Sequence, residues 1–172
     1  MMIRPATEAD LPAITAIFNE VIANSTAIYA DEPVAMADRA AWLAARRAAG
    51  YPVLVAEEDG EVVGFSSFGD WRGAWSGYRH SVEHSVHVRA DRRGRGTGPA
   101  LVRALFPLAG ALGKHVMIGS IDAQNAASIA MHERLGFERV AHFREVGRKF
   151  DRWLDLVFVQ RFLTGTGETA AS

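Results

Sequence analysis

The sequence predicts a mixed α/β (α+β) domain, one central sheet with helices on both faces. Strand and helix patterns alternate irregularly along the 172 residues, with a hairpin early and two strands together at the end. No internal repeat or linker divides the chain, and 49% of its residues are hydrophobic, enough for one sizeable core. A single domain over residues 1–163 is therefore expected.

Ile3 to Ala6 reads as a short first strand. Thr7 is placed to cap a helix over 8–23. Glu8 and Asp10 sit in its first turn, and Leu11, Ile14, Ile17, Phe18, Val21 and Ile22 recur at helical spacing. A polar connection with Ser25, Thr26, Tyr29 and Pro33 leads to a second helix over Ala37–Ala49, ended by Gly50. Asp59-Gly60, between Val53–Glu57 and Val62–Phe68, is a hairpin signal. A loop from Asp70 to Arg79, rich in aromatic residues and glycine, precedes a strand over His80–Val88. The next helix, near 97–112, accepts Pro99 in its first turn, whereas Pro107 should kink it. His115–Ile121 reads as a strand, Ala126–Leu135 as a helix, and 139–147 and 153–162 as the last strands. Gly136 suits the left-handed position that closes the fourth helix. The tail, 164–172, is expected to be disordered.

Composition excludes several classes of function. A net charge of −1 argues against broad nucleic-acid binding, leaving only a local basic patch at 89–95. The lack of cysteine removes disulfides, thiolate metal sites and a cysteine acyl-enzyme. The N-terminal residues contain no apolar signal core and no apolar run reaches membrane-spanning length, so a cytoplasmic protein without membrane contact is expected. His80, His84 and His87 are close in sequence, but His87 falls on the other strand face, and no metal is expected.

The strand ending at Val88 runs into Arg89-Ala90-Asp91-Arg92-Arg93-Gly94-Arg95-Gly96-Thr97-Gly98 and then an apolar helix. Alternate glycines let backbone approach a ligand closely, and the first amides of the helix point outward, which suits a phosphate or pyrophosphate. Arginines there add charge that pairs with phosphate oxygens. Alone, the pattern equally fits a charged turn capped by glycines. It is neither a Walker loop nor the Gly-x-Gly-x-x-Gly of dinucleotide folds. Further on, Asn125, Ser128 and His132 fall at i, i+3 and i+7, on one face of the fourth helix, as in a lined cleft.

Arg93-Gly94-Arg95-Gly96-Thr97-Gly98, with Asn125–Ile129 and His132–Phe137, resembles the motifs of the GCN5-related N-acetyltransferase (GNAT) superfamily. Val82–Val86, the Trp71-Arg72 pair and Gly147–Asp155 resemble its phosphinothricin and methionine sulfoximine acetyltransferase branch. The resemblance implies a GNAT fold, with a mixed, mostly antiparallel sheet splayed between two parallel strands ending at Val88 and Ile121. Acetyl-CoA would lie in that gap as co-substrate, its pyrophosphate on the amides of Arg93, Gly94, Arg95, Gly96, Thr97 and Gly98. Its pantetheine would run along Val86, His87 and Val88 like an added strand, with Asn125 and Ser128 facing it. The implied reaction is N-acetylation of the α-amine of a small amino-acid analogue, such as methionine sulfone, methionine sulfoximine or phosphinothricin, by direct transfer in a ternary complex. Resistance to such compounds and a homodimer are further implications.

An α-amine is mostly protonated near neutral pH, so a base is required. Glu83, beside the expected thioester, is assigned that role, although a strand glutamate also reads as an exposed cross-strand partner. A backbone amide near Val88 would polarise the thioester carbonyl. Many superfamily members use a tyrosine as acid; no tyrosine follows Tyr78 here, and His132 is the candidate. The acceptor is expected against Trp71, Arg72, Ser76, Gly77, Tyr78 and Arg79, where arginines can fork onto a carboxylate and aromatics can wall a small side chain. The bland alternative is a surface loop with aromatic anchors. Competing functions are acetylation of another small amine or a protein N-terminus, and a non-catalytic acyl-CoA sensor.

Overall fold

The computed structural model describes residues 1–163, so the expectation for 164–172 lies outside the described residues. Seven strands form one sheet: β1 (Met2–Pro5), β2 (Val53–Glu58), β3 (Glu61–Asp70), β4 (Ser81–Val88), β5 (Val116–Asp122), β6 (Glu138–Lys149) and β7 (Arg152–Phe162). Four helices accompany it: α1 (Leu11–Asn24), α2 (Met36–Ala48), α3 (Thr97–Ala111) and α4 (Ala126–Arg134). The strand order is β1-β2-β3-β4-β5-β7-β6, antiparallel throughout except for β4 and β5. This is the mixed, splayed sheet expected from the sequence.

The parallel pair is short. Ser81, Val82 and Glu83 pair with Val116, Met117 and Ile118, and beyond them the two strands part. β4 continues against β3 as far as Val88, while β5 stays with β7 as far as Asp122. Arg89 N–H donates to the Val63 carbonyl, so by alternation the backbone groups of His84, Val86 and Val88 face away from β3, into the gap.

Each face of the sheet carries its own core. Leu101, Leu105, Val82, Met117, Ile129, Phe137, Val157 and Val159 are buried on the face covered by α3 and α4. Ile14, Ile17, Leu43, Val53, Val55 and Phe65 form the other, under α1 and α2. Along β4, Val82, His84, Val86 and Val88 therefore face α3 and α4, and Glu83, Ser85 and His87 face α1 and α2.

Element ends depart from expectation for local reasons. The helix expected over 8–23 begins as a 3-10 turn at Glu8–Asp10, because Pro12 has no N–H to donate back to Glu8. Asp10 secures this junction, accepting two bonds of 2.8 Å from Arg4 and one of 2.7 Å from Thr7 N–H. α3 runs on through Pro107 to Ala111; Pro107 and Arg103, whose carbonyl loses its intrahelical donor, both lie on the solvent side. β6 and β7 extend to a tight turn in which Phe150 and Asp151 both take positive φ, as the twist of such a hairpin requires.

Lys149 ties this hairpin to the segment after α1. It is 2% exposed, and its ammonium donates to the carbonyls of Ile22 (2.5 Å), Ser25 and Ile28 (both 2.8 Å). Three donors meet three acceptors, which is how a buried charge is tolerated. Lys149→Met should cost about 2–4 kcal/mol, because it leaves three carbonyls without their donor. Chemical denaturation, read as a lowered midpoint at unchanged slope, measures it.

Candidate active site

A cavity of about 430 Å³ opens where β4 and β5 part. From the expected site it gathers Glu83, Val86, His87, Asn125, Ser128 and His132. It also takes in His84, Ser85, Gly119, Ser120 and Asp122 from the strands, Phe18 and Ile28 from α1 and the segment after it, and Arg39, Trp42 and Arg46 from α2.

Glu83 stands on the α1–α2 side at the last paired position of β4. Its Oε1 accepts a 2.7 Å bond from the Ser120 hydroxyl on β5. One carboxylate oxygen is thus oriented, and the other remains able to take a proton in the cavity.

On the opposite side lie two stacked imidazoles. His132 Nδ1 is 2.7 Å from the Ser128 carbonyl, and its Nε2 is 3.2 Å from His84 Nε2. A carbonyl only accepts, so Nδ1 of His132 carries the hydrogen and its Nε2 is a lone pair. His84 must then donate from Nε2, which leaves its buried Nδ1 an acceptor without a partner. Burial pushes both rings below the ordinary histidine range, and on His84 the neighbouring His132 and His87 add to the effect. Gly119 makes the arrangement possible, since a Cβ there would stand 2.9 Å from His84 Nε2. His132 therefore meets the cavity with both ring nitrogens engaged, a constraint that its position on α4 alone does not reveal.

α4 is built from its cap. Asn125 Oδ1 accepts from Ser128 N–H at 3.0 Å, and the Asn125 N–H donates to the Asp122 carbonyl. At the other end Gly136 has φ 83° and Phe137 N–H returns to the His132 carbonyl, so the predicted left-handed closure is present.

The glycine turn lies at the far end of β4. Gly94 (φ 75°) and Gly96 (φ 88°) occupy the left-handed region, and α3 begins with no side-chain cap. Thr97 Oγ1 is buried without a partner there. Arg93 has a second employment: its Nε donates to the Val88 carbonyl and its Nη2 pairs with Glu20 of α1, at 2.9 and 2.7 Å. Open edge, glycine turn, uncapped helix and orphaned hydroxyl together fit a long ligand with a pyrophosphate at one end and an extended amide arm at the other.

The loop expected to hold the acceptor begins at the cavity's rim, directly after Gly69 and Asp70 of its lining. Trp71, Arg72, Ser76, Gly77, Tyr78 and Arg79 do not line the cavity. Arg72 lies over the Tyr78 ring, Arg79 bonds the Ser76 carbonyl within a 3-10 turn (Ser76–Tyr78), and Trp71 packs on Phe158. The cavity's arginines come instead from α2, which sequence reading passed over. Their signal was available, because Arg39 and Arg46 share helical spacing with Trp42 and Leu43. Among the described residues no group of three or more His, Cys, Asp or Glu is arranged to hold a metal ion, and no helix is long and apolar enough to cross a membrane.

Fold and site together define an acyl-group transferase, and the comparisons with known proteins agree. The chain belongs to the acetyltransferase (GNAT) family, which matches residues 14–137. It is 52% identical over 165 residues, 95% of each chain, to the L-methionine sulfoximine/L-methionine sulfone acetyltransferase of Pseudomonas paraeruginosa. It is 34% identical over 168 residues to the phosphinothricin N-acetyltransferase of Alcaligenes faecalis, covering 97% of this chain and 84% of the relative. Among solved structures, yncA of Salmonella typhimurium with its cofactor acetyl-CoA superposes with a TM-score of 0.93 at 47% identity, covering 100% and 99% of the two chains.

The neutral histidine pair sets a pH dependence. Below about pH 6.5 the unfolded chain binds protons that the folded imidazoles refuse, so stability falls as pH falls, by up to about 1.4 kcal/mol per pH unit for His84, which burial lowers to about 3, with buried His87, lowered to about 4, and His132 acting in the same direction. His84→Gln, whose amide can donate in place of Nε2, should flatten the loss between pH 7 and 5 by about one proton. Denaturation midpoints across that range measure it.

Proposed function

We propose that this enzyme acetylates the α-amine of small amino-acid analogues of the methionine sulfone, methionine sulfoximine and phosphinothricin type, in a ternary complex with acetyl-CoA. The relatives' names support that acceptor class. The observation that carries the chemistry is Glu83, a carboxylate oriented by Ser120 inside the cavity where the backbone edge of β4 lies open.

Acetyl-CoA supplies an activated acetyl thioester. The residues for its arm are Val86, His87 and Val88 with Asn125 and Ser128, and those for its pyrophosphate are Arg93, Gly94, Arg95, Gly96, Thr97 and Gly98. Glu83 takes the proton from the ammonium so that the nitrogen lone pair can attack. The open N–H groups of β4 offer hydrogen bonds to a carbonyl oxygen in the gap. A thiol has a pKa near 8.5, so the leaving sulfur needs little help from an acid. Neutral, with its hydrogen on Nδ1 and a lone pair on Nε2, His132 serves as that acid only after Nε2 leaves His84 and takes the second proton that the attacking nitrogen must lose; burial then makes the protonated ring a ready donor to the sulfur. Base and histidine pair thus work from opposite faces of the split sheet.

A homodimer is part of this proposal. Phe143, Val146, Phe150 and Trp153, all at least half exposed, give the β6–β7 hairpin an apolar surface that a second copy would cover. Trp153→Asp should shift the protein to a monomer in light scattering, and a wild-type monomer at micromolar concentration would overturn it. Inactivation of toxic amino-acid analogues in the cytoplasm, by removing the amine charge their target enzyme recognises, is the role this activity suits.

The functional test is CoA release against methionine sulfone, methionine sulfoximine, phosphinothricin, ordinary amino acids, polyamines and a short peptide. Turnover is expected with the first three. Glu83→Gln should lower kcat by about 100-fold or more at pH 7, with partial recovery at high pH where free amine is present. Turnover confined to polyamines or the peptide refutes the acceptor class, and acetyl-CoA binding without any turnover favours a sensor.

A further inference from the structure

A helix lying on a sheet presents its i, i+3, i+4 and i+7 positions inward, normally as apolar side chains. On α2 those positions are Arg39, Trp42, Leu43 and Arg46. Leu43 enters the core, whereas Arg39, Trp42 and Arg46 line the cavity that contains Glu83.

Both guanidinium groups are fixed. That of Arg39 lies 4.1 Å from the ring centre of Phe18 and 5.1 Å from that of Trp42. That of Arg46 lies against Gly69, where any Cβ would collide with it. Neither forms an ion pair among the described residues, and the Nε of each is buried with no partner. Burial works against both charges; Asp38 offsets part of this at Arg39, where Arg46 adds repulsion, and Asp70 and Tyr51 offset part of it at Arg46. An arginine cannot escape by losing its proton.

The cavity's acids relieve them only in part, since each is bonded elsewhere. Glu83 is bonded by Ser120, Asp70 by the Tyr51 hydroxyl, and Asp122 by Thr26 and the Gln124 N–H. Two half-buried cations with spare donors therefore face a cavity whose nearest acid, Asp70, attracts Arg46 without forming an ion pair with it. By contrast, Arg72 and Arg79 sit on the exposed loop, where solvent screens their charge.

We propose that Arg39 and Arg46 form the carboxylate subsite of the acyl acceptor, holding the α-carboxylate while Glu83 meets the α-amine. The assignment rests on the acceptor class proposed above. In an α-amino acid, amine and carboxylate share one carbon, so their receptors must converge, and these residues line one cavity. Forked N–H donors match a carboxylate, and the aromatic bed on Arg39 fixes the fork in place.

The test compares methionine sulfone with its decarboxylated analogue, methylsulfonylpropylamine, under saturating acetyl-CoA. Wild-type kcat/KM should favour the amino acid by about 100-fold or more, because removing the anion leaves both arginines unpaired. Arg39→Gln and Arg46→Gln should each reduce that preference by about tenfold or more, with KM for acetyl-CoA within about twofold of wild type; Arg79→Gln should leave the preference intact. Arg39→Lys and Arg46→Lys retain charge without the fork and should give intermediate preferences, which also reads the subsite should a Gln variant fail to fold. A preference unchanged in all four α2 variants, with methionine sulfone still acetylated, overturns the subsite alone. Wild-type enzyme that acetylates neither compound overturns the acceptor class and the subsite with it.

Discussion

Backbone groups that a strand leaves open need partners, and the parting of β4 from β5 after Glu83 and Ile118 puts such a row inside the molecule. The gap decides most of what surrounds it. It gives an extended ligand arm a strand edge to pair with, and it exposes both faces of the sheet at one point. Glu83 enters from the α1–α2 side and His84 from the other, one residue apart on β4, so titratable side chains border the gap from both sides.

Groups at the gap divide into those the fold satisfies and those it leaves open. Lys149 is buried with a carbonyl for each of its donors, and it holds the segment carrying Ile28 in the cavity wall. Asp122 is bonded by Thr26 and the Gln124 N–H, which fixes the start of α4. Five side-chain atoms are buried without partners among the described residues: Arg161 Nε lies elsewhere, on β7 against Phe106, while Arg39 Nε, Arg46 Nε, His84 Nδ1 and Thr97 Oγ1 lie along the gap or at its glycine-lined end. A folded protein tolerates few such atoms. Four of the five gather along one channel, which is what a polar ligand's binding site would leave unpaired.

Much of this was legible in the chain because it depends on local geometry. Gly94 and Gly96 announce a turn whose positive φ only glycine adopts freely, and Gly136 does the same at the end of α4. Asn125, Ser128 and His132 share a face by helical spacing, and all three line the cavity. Arg39 and Arg46 were equally periodic, but a search for apolar stripes passes over charged residues at inward positions. The aromatic loop drew attention by composition, and composition does not say where a loop lies. What His132 can do was hidden for another reason: its hydrogen bond to His84 depends on Gly119, a residue distant in sequence from both.

By itself the sequence determined the element order, the turn that begins α3, the face of α4 and the family, because each follows from spacing between residues a few positions apart. Tertiary structure alone decided where β4 and β5 separate, which arginines enter the cavity, and which nitrogen of each imidazole carries its proton. Those outcomes depend on register across strands and on burial, set only when distant segments pack and compete for the same space and the same donors.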